Sequence, residues 1–333
     1  MATAAPNPYV SLDQLSEGDS ASGYETDSLK SGLTSLSSSA YDYQYENGRR
    51  YHAYHPGQYL LPNDENEQER LDAMHYVFRL VLDGGLCYTE LNNPLKILDV
   101  GTGTGIWAID MGDLYPSAQV IGTDLSPIQP NWIPPNVSFQ VDDATDPWAF
   151  PKESFDFIHA RSLAGSIQDW PALIRKAYEH LKPGGRIEFS EARMRFRYDD
   201  NTYSQTSTTR RWMSEFDKIA RENNLDFDAF PKFGDFFRQA GFTNVVEDER
   251  PCPFGSWPKH KKLKEVGGVF KAQLIGSALD SYSLALFTRL GGWSGAETHA
   301  FLAEVRKELA ERRMHLYSHC SFAVGQKPVS CHR

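Results

Sequence analysis

The stretch "ILDVGTGTGIW", residues 97–107, restricts the fold more than any other part of this 333-residue chain. Ile97-Leu98-Asp99-Val100 has the length and apolar content of a buried strand, and Ile106-Trp107-Ala108-Ile109 opens a helical pattern. Between them Gly101, Gly103 and Gly105 give up side chains in alternation. A strand, a glycine turn and a helix make the first half of a βαβ unit, which commits the chain to a parallel sheet. At such a turn the backbone can lie directly against a ligand.

Three ligand classes compete for the turn. A Walker-type phosphate loop ends in Gly-Lys-Ser/Thr, whereas Gly105 is followed by Ile106-Trp107. A dinucleotide site spaces its glycines at the first, third and sixth positions, and here they fall at the first, third and fifth. Asp99 stands two residues ahead of them, where its charge would oppose a diphosphate. A carboxylate suits a positively charged ligand, and S-adenosylmethionine carries an ammonium, a sulfonium and an adenosine without phosphate. The order D-x-G-x-G-x-G fits that donor best. A nicotinamide dinucleotide enzyme and a purely structural turn stay open as weaker readings.

The rest of the chain extends the pattern. Strands are expected at 96–100, 118–123, 137–141, 155–160 and 186–190, with helices from about 105 and over 170–181. Lys182-Pro183-Gly184-Gly185 reads as a helix stop. Ahead of the sheet, Asn63 or Asp64 can cap a helix with Leu71, Met74, Phe78 and Val81 on one stripe, ended by Gly84-Gly85. Beyond it, helices are expected from about Ser207 to Asn223 and from Gly234 to Ala240, then a strand at 244–249. A helical insertion covers about 255–293. Ser294 and Glu297 form a capping box for a helix burying Phe301, Leu302, Val305 and Leu309, before a last strand at 315–324.

Residues 1–40 are rich in Ser, Gly, Asp and Ala with few apolar anchors, the composition of a disordered tail. Residues 41–90 form an arm and the capped helix, and 91–333 the sheet domain. The tyrosine-rich arm reads as a cap over a ligand or as a segment docked on the domain. A net charge of −10 argues against a broad nucleic-acid-binding face. Four scattered cysteines without a C-x-x-C pair suggest reduced thiols and no zinc site. The N-terminus lacks a signal-peptide pattern and no run has the length of a membrane span. These features lead to the expectation of a soluble intracellular protein.

Two more acidic positions share a sheet edge with the glycine turn. Asp124 ends the second strand in "VIGTDLSP", where a carboxylate can accept from both ribose hydroxyls of an adenosine. Asp142-Asp143-Ala144 follow the third strand; an acid there can accept from the adenine amine while the Ala144 amide reads a ring nitrogen. Ligands of open α/β sheets bind beyond the strands' carboxyl ends, so the three acids make one site.

The strings "LDVGTGTG", "IGTDLSP", "DDA", "FDFIHAR" and "LKPGGRIEFSE" resemble class I S-adenosylmethionine-dependent methyltransferases. From about residue 41 onward, "ENGRRYHAYHPGQYLLPNDENEQERLD", "RSLAGSIQDWPALIRKAYEHLKPGG" and "FGSWPKHKKLKEVG" are similar to the fungal LaeA-like, velvet-associated methyltransferases. The resemblance implies a Rossmann-like seven-stranded sheet, mostly parallel, with an antiparallel last strand. It implies a nuclear or cytoplasmic protein of secondary metabolism or its regulation. Its partners would be a small-molecule or protein methyl acceptor, and a velvet-type protein or a related methyltransferase. The turn residues Gly101, Thr102, Gly103 and Gly105, together with Asp99, Asp124, Leu125, Asp143 and Ala144, are the expected donor contacts.

Methyl transfer from a sulfonium is an in-line displacement on an activated donor, so alignment matters most and a base only for a high-pKa acceptor. Three residues near the strand ends are candidates for the chemistry. His159 could act as a base or be a satisfied core histidine. Arg161 could hold the donor's carboxylate or an acidic acceptor, and Glu191 could face the acceptor. Arg49, Arg50 and Tyr51 could close over the donor. Lys259-His260-Lys261-Lys262 with Lys264 could be an import patch or the polar face of an insertion helix. The apolar residues Val266, Val269, Phe270, Leu274 and Ile275 of the insertion could line an acceptor lid or dock a partner.

Overall fold

The computed structural model describes residues 43–55, 59–311 and 313–329, so the expected tail over 1–40 and Cys331 lie outside the described residues. The arm opens with a two-stranded antiparallel hairpin, β1 (Gln44–Glu46) and β2 (Arg49–Tyr51). Helix α1 (Glu65–Val81) follows, with Asp64 as the N-cap accepting from the Glu67 amide at 3.1 Å. Then come β3 (Lys96–Val100), α2 (Ile106–Leu114), β4 (Gln119–Asp124), β5 (Val137–Val141), β6 (Phe155–Arg161), α3 (Trp170–His180) and β7 (Leu181–Ala192). The second half holds α4 (Thr208–Glu222), α5 (Phe233–Ala240), β8 (Thr243–Pro253), α6 (Lys261–Gln273), α7 (Leu279–Ala285), α8 (Gly295–Ala310) and β9 (Tyr317–Gln326).

The seven main strands lie in the order β5-β4-β3-β6-β7-β9-β8, with β9 antiparallel to both neighbours. The chain starts the sheet in the middle, runs outward to β5 and returns to place β6 beside β3. The strand order therefore reverses between β3 and β6, and a crevice opens beyond their carboxyl ends at such a switch point. Both faces of the central strands are covered. Ile97 packs with Trp107, Met111 and Phe157, while Leu98 and Val100 pack with Ile158, Ile174 and Phe189. This two-sided burial explains an apolar run rather than an alternating one.

The expected strands and helices are present, with shifts at their ends. The largest is in β7, which begins at Leu181 and runs through the Lys182–Gly185 turn instead of starting at 186. Strand β8 extends from the expected 244–249 to Thr243–Pro253 because all of that length pairs with β9.

The insertion is one helical run. Two π-helical turns, Leu274–Ala278 and Leu286–Leu290, flank α7. Val266, Phe270 and Leu274 are buried in the same cluster as Met74, Val77 and Phe78 of α1. They neither line the main cavity nor form an exposed patch, so both sequence readings of these residues give way to a core role. The basic run falls at the start of α6, where Lys262 pairs with Asp83 at 2.6 Å. Among the described residues no helix is long and apolar enough to cross a membrane.

Candidate functional site

The glycine turn emerges from β3 at the switch point. Gly101 and Gly103 have φ of +68° and +59° and line a cavity of about 340 Å³. Gly105, also at positive φ, caps α2, and a Cβ there would overlap the Phe139 ring. Its missing side chain serves packing against β5, since Gly105 is not among the lining residues. Asp99 braces the turn from behind. Its Oδ2 accepts from the Thr102 hydroxyl at 2.6 Å, and its Oδ1 lies 2.7 Å from His159 Nδ1. Asp99, Thr102 and His159 line a recess of about 40 Å³ that shares Gly101, Gly103, Leu71, Arg161 and Ser162 with the larger cavity.

Asp124 ends β4 on the cavity wall. Its Oδ2 accepts from the Gly103 amide at 2.8 Å and its Oδ1 from the Ser126 amide at 2.9 Å. Burial pushes its pKa up to about 6 against these amides. Such a carboxylate gains from further hydrogen-bond donors. Leu125 lines the same wall.

Asp143 and Ala144 line the wall beyond β5. Asp143 is already engaged: Oδ1 accepts from the Thr145 amide and hydroxyl at 2.8 and 2.7 Å, and Oδ2 lies 2.9 Å from His55 Nδ1. Burial works against the charge, but the bonds from Thr145 and His55 hold the Asp143 carboxyl below the usual range.

The three chemistry candidates lie in different settings. Arg161 ends β6 and lines both the cavity and the recess. His159, two residues earlier on the same strand, is 1% exposed and stacks on Trp107 with ring centroids 3.8 Å apart. Glu191 sits behind the cavity wall, where its Oε1 accepts from the Leu163 amide at 2.9 Å. Burial pushes its pKa up to about 8, so it carries a proton at neutral pH.

Several lining residues were not expected from sequence. Leu71 of α1, Tyr59 of the arm, and Ser162-Leu163 with Ser166-Ile167-Gln168-Asp169 after β6 complete the wall. The loop's position after the fourth sheet strand is a usable signal, because the ends of the first three strands already point to one site. Tyr59 carried none, since nothing in the arm marks which tyrosine turns inward. Arg49 and Arg50 anchor the arm instead of reaching the cavity. Arg49 makes a two-pronged pair with Asp64 at 2.6 and 2.8 Å, and Arg50 bonds Asn63 and Glu65.

The lining has a clear charge character. Asp124, Asp142, Asp143 and Asp169 face it, and among the described residues Arg161 is its one cation, with no lysine and no histidine. A diphosphate would meet four acids there. A ligand with ribose hydroxyls for Asp124 and no phosphate fits, and the volume lies in the range of small-molecule sites, about 300–1,000 Å³. S-adenosylmethionine has both features.

Comparison with known proteins agrees. A family model described as a methyltransferase domain matches residues 66–247. Methyltransferase pytC of Aspergillus terreus is 41% identical over 300 residues, covering 90% of this chain and 92% of the relative. Secondary metabolism regulator LAE1 of Cochliobolus heterostrophus is 36% identical over 290 residues, covering 85% of this chain and 94% of that one. Protein-methionine methyltransferase laeA of Emericella nidulans is 32% identical over 306 residues, covering 90% and 80%. With a reversed-order sheet, and a glycine turn and a carboxylate at its switch point, this chain belongs to the fungal LaeA-like class I S-adenosylmethionine-dependent methyltransferases.

Proposed function

We propose that the chain transfers the donor's methyl group, in fungal secondary metabolism, to an acceptor atom that attacks without first losing a proton. A thioether sulfur or a neutral amine qualifies; an alcohol or phenol oxygen does not. The observation that carries this reading is the absence of a lysine or histidine among the described residues lining the cavity. His159 lies in the adjoining recess rather than the cavity, 1% exposed, with Nδ1 against Asp99 and one ring face on Trp107. Glu191 holds its proton and bonds the Leu163 amide.

The bound donor supplies the electrophilic methyl on its sulfonium. Asp124 holds the ribose, the Asp143–Ala144 segment faces the adenine, and the glycine turn and Arg161 face the methionine end. The protein's own work is then alignment and exclusion of water rather than proton removal. The name of one relative, a protein-methionine methyltransferase, supports a thioether acceptor, which meets this criterion. The test is transfer of labelled methyl from the donor into a cell extract, followed by identification of the labelled atom. Label on sulfur or nitrogen is expected. Label on an alcohol or phenol oxygen overturns the reading.

A second reading is a donor-binding regulator, nuclear or cytoplasmic, that works through a velvet-type partner. It draws on the regulator names among the relatives and on Trp132, which is 95% exposed four residues after the cavity residue Ile128. Capture of such a partner that depends on Trp132, without label transfer, would favour it.

A further inference from the structure

We propose that His75 is a positioning residue for Arg161, and that His75 and Asp110 together aim the Arg161 guanidinium at the carboxylate of the donor's methionine end. This rests on the reading of the cavity as the donor site. The guanidinium sits over the Phe78 ring, 5.0 Å from its centre, and Nη2 donates to His75 Nδ1 at 3.1 Å. Arginine can only donate, so Nδ1 bears no proton and the imidazole N–H is on Nε2. That N–H donates to Asp110 Oδ2 at 3.0 Å, and Arg79 Nη1 donates to the same oxygen at 3.0 Å. His75 and Arg79 lie one turn apart on α1, and Asp110 lies on α2, so two helices fix one ring orientation. Burial, with Arg161 alongside, pulls the His75 pKa down to about 4, which keeps the ring neutral and the tautomer single.

The need for an anion follows from what Arg161 lacks. Among the described residues the guanidinium's one hydrogen bond is to His75 Nδ1, and no ion pair to a carboxylate joins it. A guanidinium withdrawn from water without a counter-ion is costly, and burial lowers its affinity for the proton. Arg70, the other arginine of the recess, is occupied by Glu67 through bonds of 2.9 and 2.7 Å. Arg161 is thus the recess arginine with donors to spare. It lies at the glycine-turn end of the cavity, whose wall also carries the ribose carboxylate Asp124.

The experiment compares calorimetric affinities of the full chain for S-adenosylhomocysteine, which has the carboxylate, and adenosine, which does not. His75→Asn keeps an acceptor where Nδ1 stood, whereas His75→Gln places its amide toward Asp110 and leaves Arg161 without that acceptor. His75→Gln should weaken S-adenosylhomocysteine about tenfold and leave adenosine unchanged, and His75→Asn should keep most of the affinity. Equal loss for both ligands, no loss for either, or a greater loss in His75→Asn overturns the proposal. If the unaltered chain binds neither ligand, the donor site itself fails, and that result is distinct. Melting curves of both variants separate folding defects from loss of aim.

Discussion

Glu191 and Gly105 show how one side chain, or its absence, acts through what surrounds it. A carboxyl whose folded pKa rises to about 8 binds a proton that the unfolded chain has released well below that pH. Its stabilising share is therefore complete below the ordinary glutamate range and is lost as the pH rises through about 8. Against Glu191→Gln, the unaltered chain should lose stability by about 1.4 kcal/mol per pH unit between roughly pH 5 and 8. Urea unfolding of both chains across that window measures the slope, and parallel curves would contradict the burial argument. Gly103 and Gly105 both need left-handed backbone, which costs an L side chain about 1–2 kcal/mol. At Gly105 a methyl also strikes Phe139, whereas at Gly103 it lies 3.3 Å from a Leu71 methyl on the cavity wall. Gly105→Ala should lower the melting temperature more, and Gly103→Ala should lose more donor affinity at equal stability. The reverse order in melting and calorimetry would return Gly105 to the ligand.

The elements most legible in the sequence were those whose pattern comes from local chemistry. The strand–glycine–helix unit, the Asp64 cap and the Ser294–Glu297 capping box are written in neighbouring residues, and all are present. The insertion was less legible, because helical spacing of Val266, Phe270 and Leu274 says that they share a face but not what lies opposite. The answer is α1, whose own stripe of Met74, Val77 and Phe78 needed a cover. Leu274→Ala should therefore cost about 2–5 kcal/mol in denaturant unfolding, as deletions from packed cores do. Unchanged stability with lost partner capture would instead make this face a docking surface. The arm hairpin is different, since its turn, Asn47-Gly48, is a local hairpin signal that the tyrosine-rich composition masks. That turn sets the register, while Glu46 to Arg289 and Arg49 to Ser281 tie the hairpin to the domain.

The molecule as a whole assembles its site from strand ends that are far apart in sequence. The reversal of strand order between β3 and β6 brings Gly101, Asp124, Asp143 and Arg161 around one cavity. The acids at β3, β4 and β5 were readable because each stands at or near the carboxyl end of a strand pattern. The side-chain bonds were not readable, because Asp99–His159 and Asp143–His55 form only after the sheet and arm are in place. Those bonds reassign part of the expected set. Asp124 keeps a cavity-facing place with backbone donors alone, while Asp99 and Asp143 also brace the protein. Asp124, as the proposed ribose carboxylate, is thus the residue on which donor recognition turns. Its most direct test is calorimetric titration of the full chain, unaltered and as Asp124→Ala, with S-adenosylhomocysteine and with NAD. The account predicts that the unaltered chain binds S-adenosylhomocysteine and not NAD, and that Asp124→Ala weakens it by about 1.5–3 kcal/mol, the loss expected for hydrogen bonds to a charged group. Equal affinity in the two chains, or binding of NAD in preference, would contradict it.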